Sequence, residues 1–121
     1  MAHHHHEVLS EIRESFAQLR QLIPDVSTGY ANLHRAAMRD GALSAKNKEL
    51  IALAIAVSKE CDGCIASHAQ GAARRRATEA EVAEAIGVAI HLNGGPGTVW
   101  GPRALTAFRE FSASISEPPS S

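Results

Sequence analysis

The sequence predicts an all-α domain. Alanine, a strong helix former, is its commonest residue, aromatic residues make up only 4% of the chain, and no window alternates β-branched or aromatic residues with polar ones at the period of two that a strand requires. At 121 residues the chain is long enough for one domain with a real core and too short for two.

The elements follow in order. The opening MAHHHH, residues 1–6, reads as an expression tag, which sets aside four of the seven histidines and leaves His34, His68 and His91. The domain is expected over residues 7–115, with the SEPPSS of 116–121 as a disordered tail. Val8, Ile12, Phe16, Leu19 and Ile23 recur at spacings of three and four, giving a first helix over about residues 7–23 with one buried face, stopped by Pro24. A second helix, over TGYANLHRAAMRD, is expected to turn Tyr30, Leu33, Ala37 and Met38 inward and to stop at Gly41.

Ser44 caps a third helix over about residues 45–59, whose LIALAIAV is apolar nearly all the way round and needs cover on more than one side. Cys61 begins a fourth that ends near RRRA, where three cations suit the negative end of the helix dipole. Thr78 and Glu81 spell the capping box T-x-x-E for a fifth helix reaching about residue 92. NGGPG breaks the chain at 93–97, and a sixth helix runs from Pro96 or Pro102 to about residue 115. Six short helices cannot cover the third helix and the other apolar stripes within one small subunit, so a homo-oligomer is expected.

Composition removes several function classes. A net charge of −1 without a clustered basic surface argues against nucleic acid as a partner. The longest apolar run, LIALAIAV, falls far short of the ~20 residues of a membrane crossing, and no cationic leader precedes an apolar one, so a soluble cytoplasmic protein is expected. Two cysteines this close do not form a stabilising framework, since so short a bridged loop restrains the unfolded chain little.

The chemistry concentrates in ELIALAIAVSKECDGCIASH, which holds both cysteines. With Cys61 at or near the N-cap of the fourth helix, Cys64 lies in its first turn and His68 one turn further on the same face. Helical residues three apart hold their Cβ atoms about 5–6 Å apart where a disulfide wants about 3.5–4.5 Å, so a bridge needs Cys61 free of helical dihedrals, as a helix start permits. The same position aims unsatisfied N–H groups and the positive dipole end at the sulfurs, which favours a nucleophilic thiolate. His68 could add a charge or a proton path, whereas the flanking Glu60 and Asp62 oppose a second negative charge unless they face solvent. Glu49, near the start of the third helix, reaches the far end of the fourth helix in a hairpin or His68 in a steep crossing, and its spacing leaves both open.

Other readings compete. Cys61, Cys64 and His68 could supply three zinc ligands with Glu49 as a fourth, and two buried cysteines can be inert packing. We read the group as redox chemistry needing neither metal nor cofactor. His34 and His91 are taken as structural, because nothing near them in sequence completes a site. Trp100 and Phe108 are taken as core or subunit-contact residues, and RRRA as a solvated helix end, with docking of an acidic carrier as a weaker reading.

Glu49, Cys61, Cys64 and His68, written E-x11-C-x-x-C-x-x-x-H, resemble the signature of the alkylhydroperoxidase D-like branch of the carboxymuconolactone decarboxylase superfamily. The likeness is strongest over residues 44–72, and LNGGPGTVWGPRA is similar to a glycine-rich segment common among its small members. The resemblance implies a compact helical fold assembled as a trimer or hexamer, and a thiol-dependent peroxidase or disulfide oxidoreductase. Cys64 would attack the hydroperoxide, Cys61 would resolve the sulfenic acid as a disulfide, and Glu49 with His68 would relay protons. An external dithiol, such as a lipoyl carrier or a thioredoxin-like protein, would recycle the pair. The best-studied branch has a histidine immediately before the second cysteine, where this chain has Gly63, leaving thiolate formation to the helix dipole and His68. The competing classes are the lactone decarboxylase, which works without the cysteine pair, and a non-catalytic, metal-binding oligomeric module.

Overall fold

Six helices make up the regular structure of residues 3–116, which the computed structural model describes: α1 (His4–Leu22), α2 (Pro24–Met38), α3 (Ala45–Ser58), α4 (Asp62–Arg74), α5 (Glu79–Asn93) and α6 (Gly95–Ser116). The all-α expectation holds, with no strand among the described residues.

α4 is the central element and packs on α6, α3 and α1, while α5 closes against α6 and α3. Its buried face is Ile65, Ala66, Ala69, Ala72 and Ala73, mostly methyl groups that let the neighbouring helices come close. Larger side chains from around it, Leu53, Val57, Val82, Phe108 and Phe111, fill the rest of the core. Full burial of each is worth about 1.5–3 kcal/mol. Trp100 packs against this core at its edge, with the Arg103 guanidinium 4.4 Å over its ring.

Local signals place the helix starts. Ser44 Oγ accepts the N–H of Asn47 at 3.1 Å, and the Thr78–Glu81 box closes in both directions, at 3.1 and 2.8 Å. Gly94, at φ 68°, ends α5 inside the expected break, and α6 begins at once, carrying Pro102 within it.

α3 and α4 both end in a left-handed residue that is not glycine. Glu60 (φ 53°) donates to Val57 O while Cys61 donates to Ala56 O, and Arg76 (φ 60°) donates to Ala73 O while Ala77 donates to Ala72 O, the paired bonds of a Schellman motif. A left-handed non-glycine residue costs about 1–2 kcal/mol, against about 0.5–1 kcal/mol for the extra freedom glycine loses on folding. Glu60→Gly is therefore expected to raise stability by up to about 1 kcal/mol, read as a higher urea midpoint at unchanged slope; a lower midpoint would contradict it.

Three expectations need correction. α1 begins at His4, three residues before the expected start, and the histidines set aside as a tag take part in packing. The cause is Glu110, a buried carboxylate on α6 that accepts the His5 and His6 backbone N–H groups at 3.3 and 2.7 Å and the His6 ring at 2.9 Å. A helix N-terminus is where such an anion is best satisfied. Burial lowers the His5 imidazole pKa below its ordinary value, against the opposing pull of Glu110.

The second concerns α2, which starts at Pro24 rather than after it, with the proline at the first helical position where its missing N–H costs nothing. Its apolar stripe faces outward. Tyr30 and Leu33 are 66% and 65% exposed, and Ser27 is the one buried residue of the helix. The third is the buried face of α1, which comes down to His5 and Leu9, leaving Ile12, Phe16 and Leu19 about two-fifths exposed. Amphipathic period fixes which residues share a stripe, not what covers it.

Residues 117–121 of the expected tail lie outside the described residues, as do 1 and 2, and Ser116 is the last residue of α6. Among the described residues no helix is long and apolar enough to cross a membrane.

Candidate functional site

The turn between α3 and α4 positions the cysteines. Cys61 gives its N–H to Ala56 O at 3.2 Å, closing α3, and its carbonyl accepts the N–H of Ile65 at 2.9 Å, opening α4. Between these bonds its backbone is extended, φ −111° and ψ 102°, which is the freedom from helical dihedrals that a bridge requires. Cys61 Sγ accepts the Cys64 N–H at 3.2 Å, so sulfur serves as the N-cap, and the two sulfurs form a disulfide across a Cα separation of 5.2 Å. Cys64 is exposed and Cys61 half-buried.

Glu49 and His68 meet. His68 Nδ1 lies 2.9 Å from Glu49 Oε2, with side chains 22% and 12% exposed. The alternatives left open by spacing are reconciled by Gly71. Glu49 and Gly71 are equidistant in sequence from Glu60, so an α3–α4 hairpin sets them opposite one another. A Cβ on Gly71 would fall on all three carboxyl atoms of Glu49. The missing side chain lets the carboxylate lie against α4 and reach one turn back to His68. Among the described residues no hydrogen bond joins this pair to the sulfurs; what relates them is their common helix, His68 lying one turn beyond Cys64.

Three nearby residues were not singled out as functional by sequence. His34 of α2, read as structural, stacks its ring on that of His68 with centroids 6.5 Å apart and planes 29° from parallel. Ile12 of α1 lies with its side-chain end in the space where a Cβ at residue 63 would project. Arg13 donates to Gln70 Oε1 at 2.9 Å, tying α1 to the same face of α4. No local spacing announces these, since α1 and α2, not α4, bring them to the site.

Two hollows meet at His68. A cleft of about 930 Å³ lies between α1, α2 and the start of α4, running from Phe16 and Tyr30 to Gly63. A smaller hollow of about 410 Å³ includes Glu49, Gln70, Arg74 and Arg75 in its lining, and both share Arg13, His34, Ser67 and His68. His68 thus lines both the larger cleft, which reaches Gly63 beside Cys64, and the smaller hollow that holds Glu49.

At this site the two sulfurs are bonded to each other and His68 Nδ1 is paired with Glu49 Oε2. A different trio, His4, His5 and Asp62, offers atoms all within 4.8 Å of one another.

A profile of the carboxymuconolactone decarboxylase family matches residues 24–110. The chain belongs to that family. A crystal structure of an apo carboxymuconolactone decarboxylase family protein from Legionella pneumophila superposes with a TM-score of 0.89 at 41% identity, covering 91% of this chain and 98% of that one. An uncharacterised protein of Cupriavidus necator is 40% identical over 105 residues, 87% of this chain and 93% of its own length. Protein 4 of the cox locus of Paracoccus denitrificans is 34% identical over 86 residues, 71% of this chain and 78% of its own. The matched span of the carboxymuconolactone decarboxylase family contains Glu49, Cys61, Cys64 and His68, and begins after α1, which supplies Ile12 and Arg13.

Proposed function

We propose that this family member is an alkylhydroperoxidase D-like thiol peroxidase, a disulfide oxidoreductase that reduces hydroperoxides through Cys61 and Cys64. The observation that carries the reading is a cysteine pair within bonding distance at a helix N-terminus, one turn from a carboxylate-held histidine. The Cys64 thiolate attacks the peroxide, breaking the O–O bond and releasing an alcohol once the departing oxygen takes a proton; Cys64 becomes the sulfenic acid. Cys61 then displaces water from that sulfur to form the disulfide. An external dithiol, a lipoyl carrier or a thioredoxin-like protein, returns the pair to thiols by exchange. Glu49 holds His68 in one tautomer and orientation, and His68 passes the protons. Such a cycle suits the cytoplasm, where thiols are kept reduced.

The test is a titration of the pair in metal-free dithiol buffers, with the disulfide read by mass and hydroperoxide consumption followed alongside. A pair that cycles reversibly and consumes peroxide is expected. A pair that stays inert to both, or cysteines that retain a stoichiometric metal, would overturn the reading.

The same reading includes a homo-oligomer, a trimer or a hexamer. Ile51 and Ile55 on α3, and Val88 and Leu92 on α5, are about half or more exposed, and each large aliphatic left in water forgoes about 1.5–3 kcal/mol. Light scattering at micromolar concentration is expected to give three or six times the subunit mass. A monomer would refute it.

A further inference from the structure

We infer that the cleft between α1 and α2 binds a substrate made of an apolar chain ending in a carboxylate, which makes such a hydroperoxide the substrate class of the site; the reactive half of this inference rests on the peroxidase reading. Reduction of hydrogen peroxide needs no cleft of about 930 Å³. Leu9, Ile12, Phe16 and Tyr30 give its walls an apolar share. Phe16 and Tyr30 are 39% and 66% exposed, a cost in water that an apolar ligand would remove.

The charge on the cleft is one-sided. Arg13, Arg20 and Arg35 line it, and no aspartate or glutamate does, in a chain whose net charge is −1. Among the described residues none of the three meets a carboxylate: Arg13 donates to the amide oxygen of Gln70 and Arg35 to that of Asn32. Guanidinium groups in fork geometry, left without anions around an apolar trough, match a carboxylate better than a neutral head group. Gly63, next to Cys64, and His68 line the same cleft. A chain whose carboxylate rests on the arginines would therefore extend toward the reactive sulfur.

Binding can be tested apart from turnover, by titration calorimetry on the oxidised full-length protein with decanoate and with decanol. Decanoate is expected to bind saturably and at least ~10-fold more tightly than decanol, about 1.4 kcal/mol, with an advantage that shrinks as salt is raised. Arg20→Gln combined with Arg35→Gln should erase the difference between the two ligands, and Phe16→Ser should weaken both. Equal affinities would overturn the inference, as would absence of saturable decanoate binding, which is the result if a second copy of the chain fills the cleft. Decanoate binding without consumption of any hydroperoxide would fail the peroxidase reading and leave the ligand assignment standing. Hydroperoxide turnover without decanoate binding would do the reverse.

Discussion

Replacing Cys64 with serine is expected to reduce hydroperoxide consumption to background, whereas Cys61→Ser should retain one rapid turnover per subunit and stop. The asymmetry follows from position. Cys64 is the exposed member of the pair, in the first turn of α4 and one turn from His68, while Cys61 is half-buried in the turn that precedes the helix. A serine hydroxyl there is not ionised near neutral pH, so the thiolate chemistry has no substitute. In the Cys61 variant the sulfenic acid forms and cannot be resolved, so it should be trapped as a mass adduct at Cys64. Neither change should unfold the protein, because a bridge across so short a loop adds little stability. Equal bursts from the two variants would exchange or remove the assigned roles.

Gly71→Ala is expected to cut turnover by about 10²-fold or more, as far as Glu49→Gln does, although residue 71 itself touches no reacting atom. The new methyl group would occupy the space of the Glu49 carboxyl group and push it from His68. Positioned acid–base groups contribute about 10²–10⁴-fold, and a carboxylate that acts through an imidazole belongs at the lower end of that range. Because the atoms displaced are the end of a flexible side chain, the cost in stability should be small beside the loss of rate. A double-mutant cycle separates the two effects. With Glu49→Ala already in place the collision disappears, so adding Gly71→Ala should change the rate no further. Full activity in Gly71→Ala alone would show that the Glu49–His68 contact is not used.

These contrasts bear on what the sequence could convey. Helix starts were legible because a cap is a local event: Ser44, Cys61 and Thr78 each bond an N–H within three residues. The left-handed ends at Glu60 and Arg76 were not, since neither residue type signals that conformation. Cys61, Cys64 and His68 could be placed on one face because one helix carries all three. Glu49 could be placed only on resemblance, as its approach depends on a glycine across the hairpin. His34 needed the packing of α2, and the early histidines needed Glu110 from the other end of the chain. Long-range partners of that kind leave no periodic mark.

The joint at Cys61 also bears on how the molecule would be read by others. The backbone bonds that end α3 and begin α4, from Cys61 to Ala56 and from Ile65 to Cys61, involve no sulfur. Since neither bond uses a sulfur atom, both helices are expected to keep these ends when the disulfide opens. Oxidation would then be recorded as a local chemical mark, with little change of shape. A reductant that tells the two forms apart has to do so by touching the sulfurs, and a shape-sensing partner bound elsewhere on the surface would be blind to them.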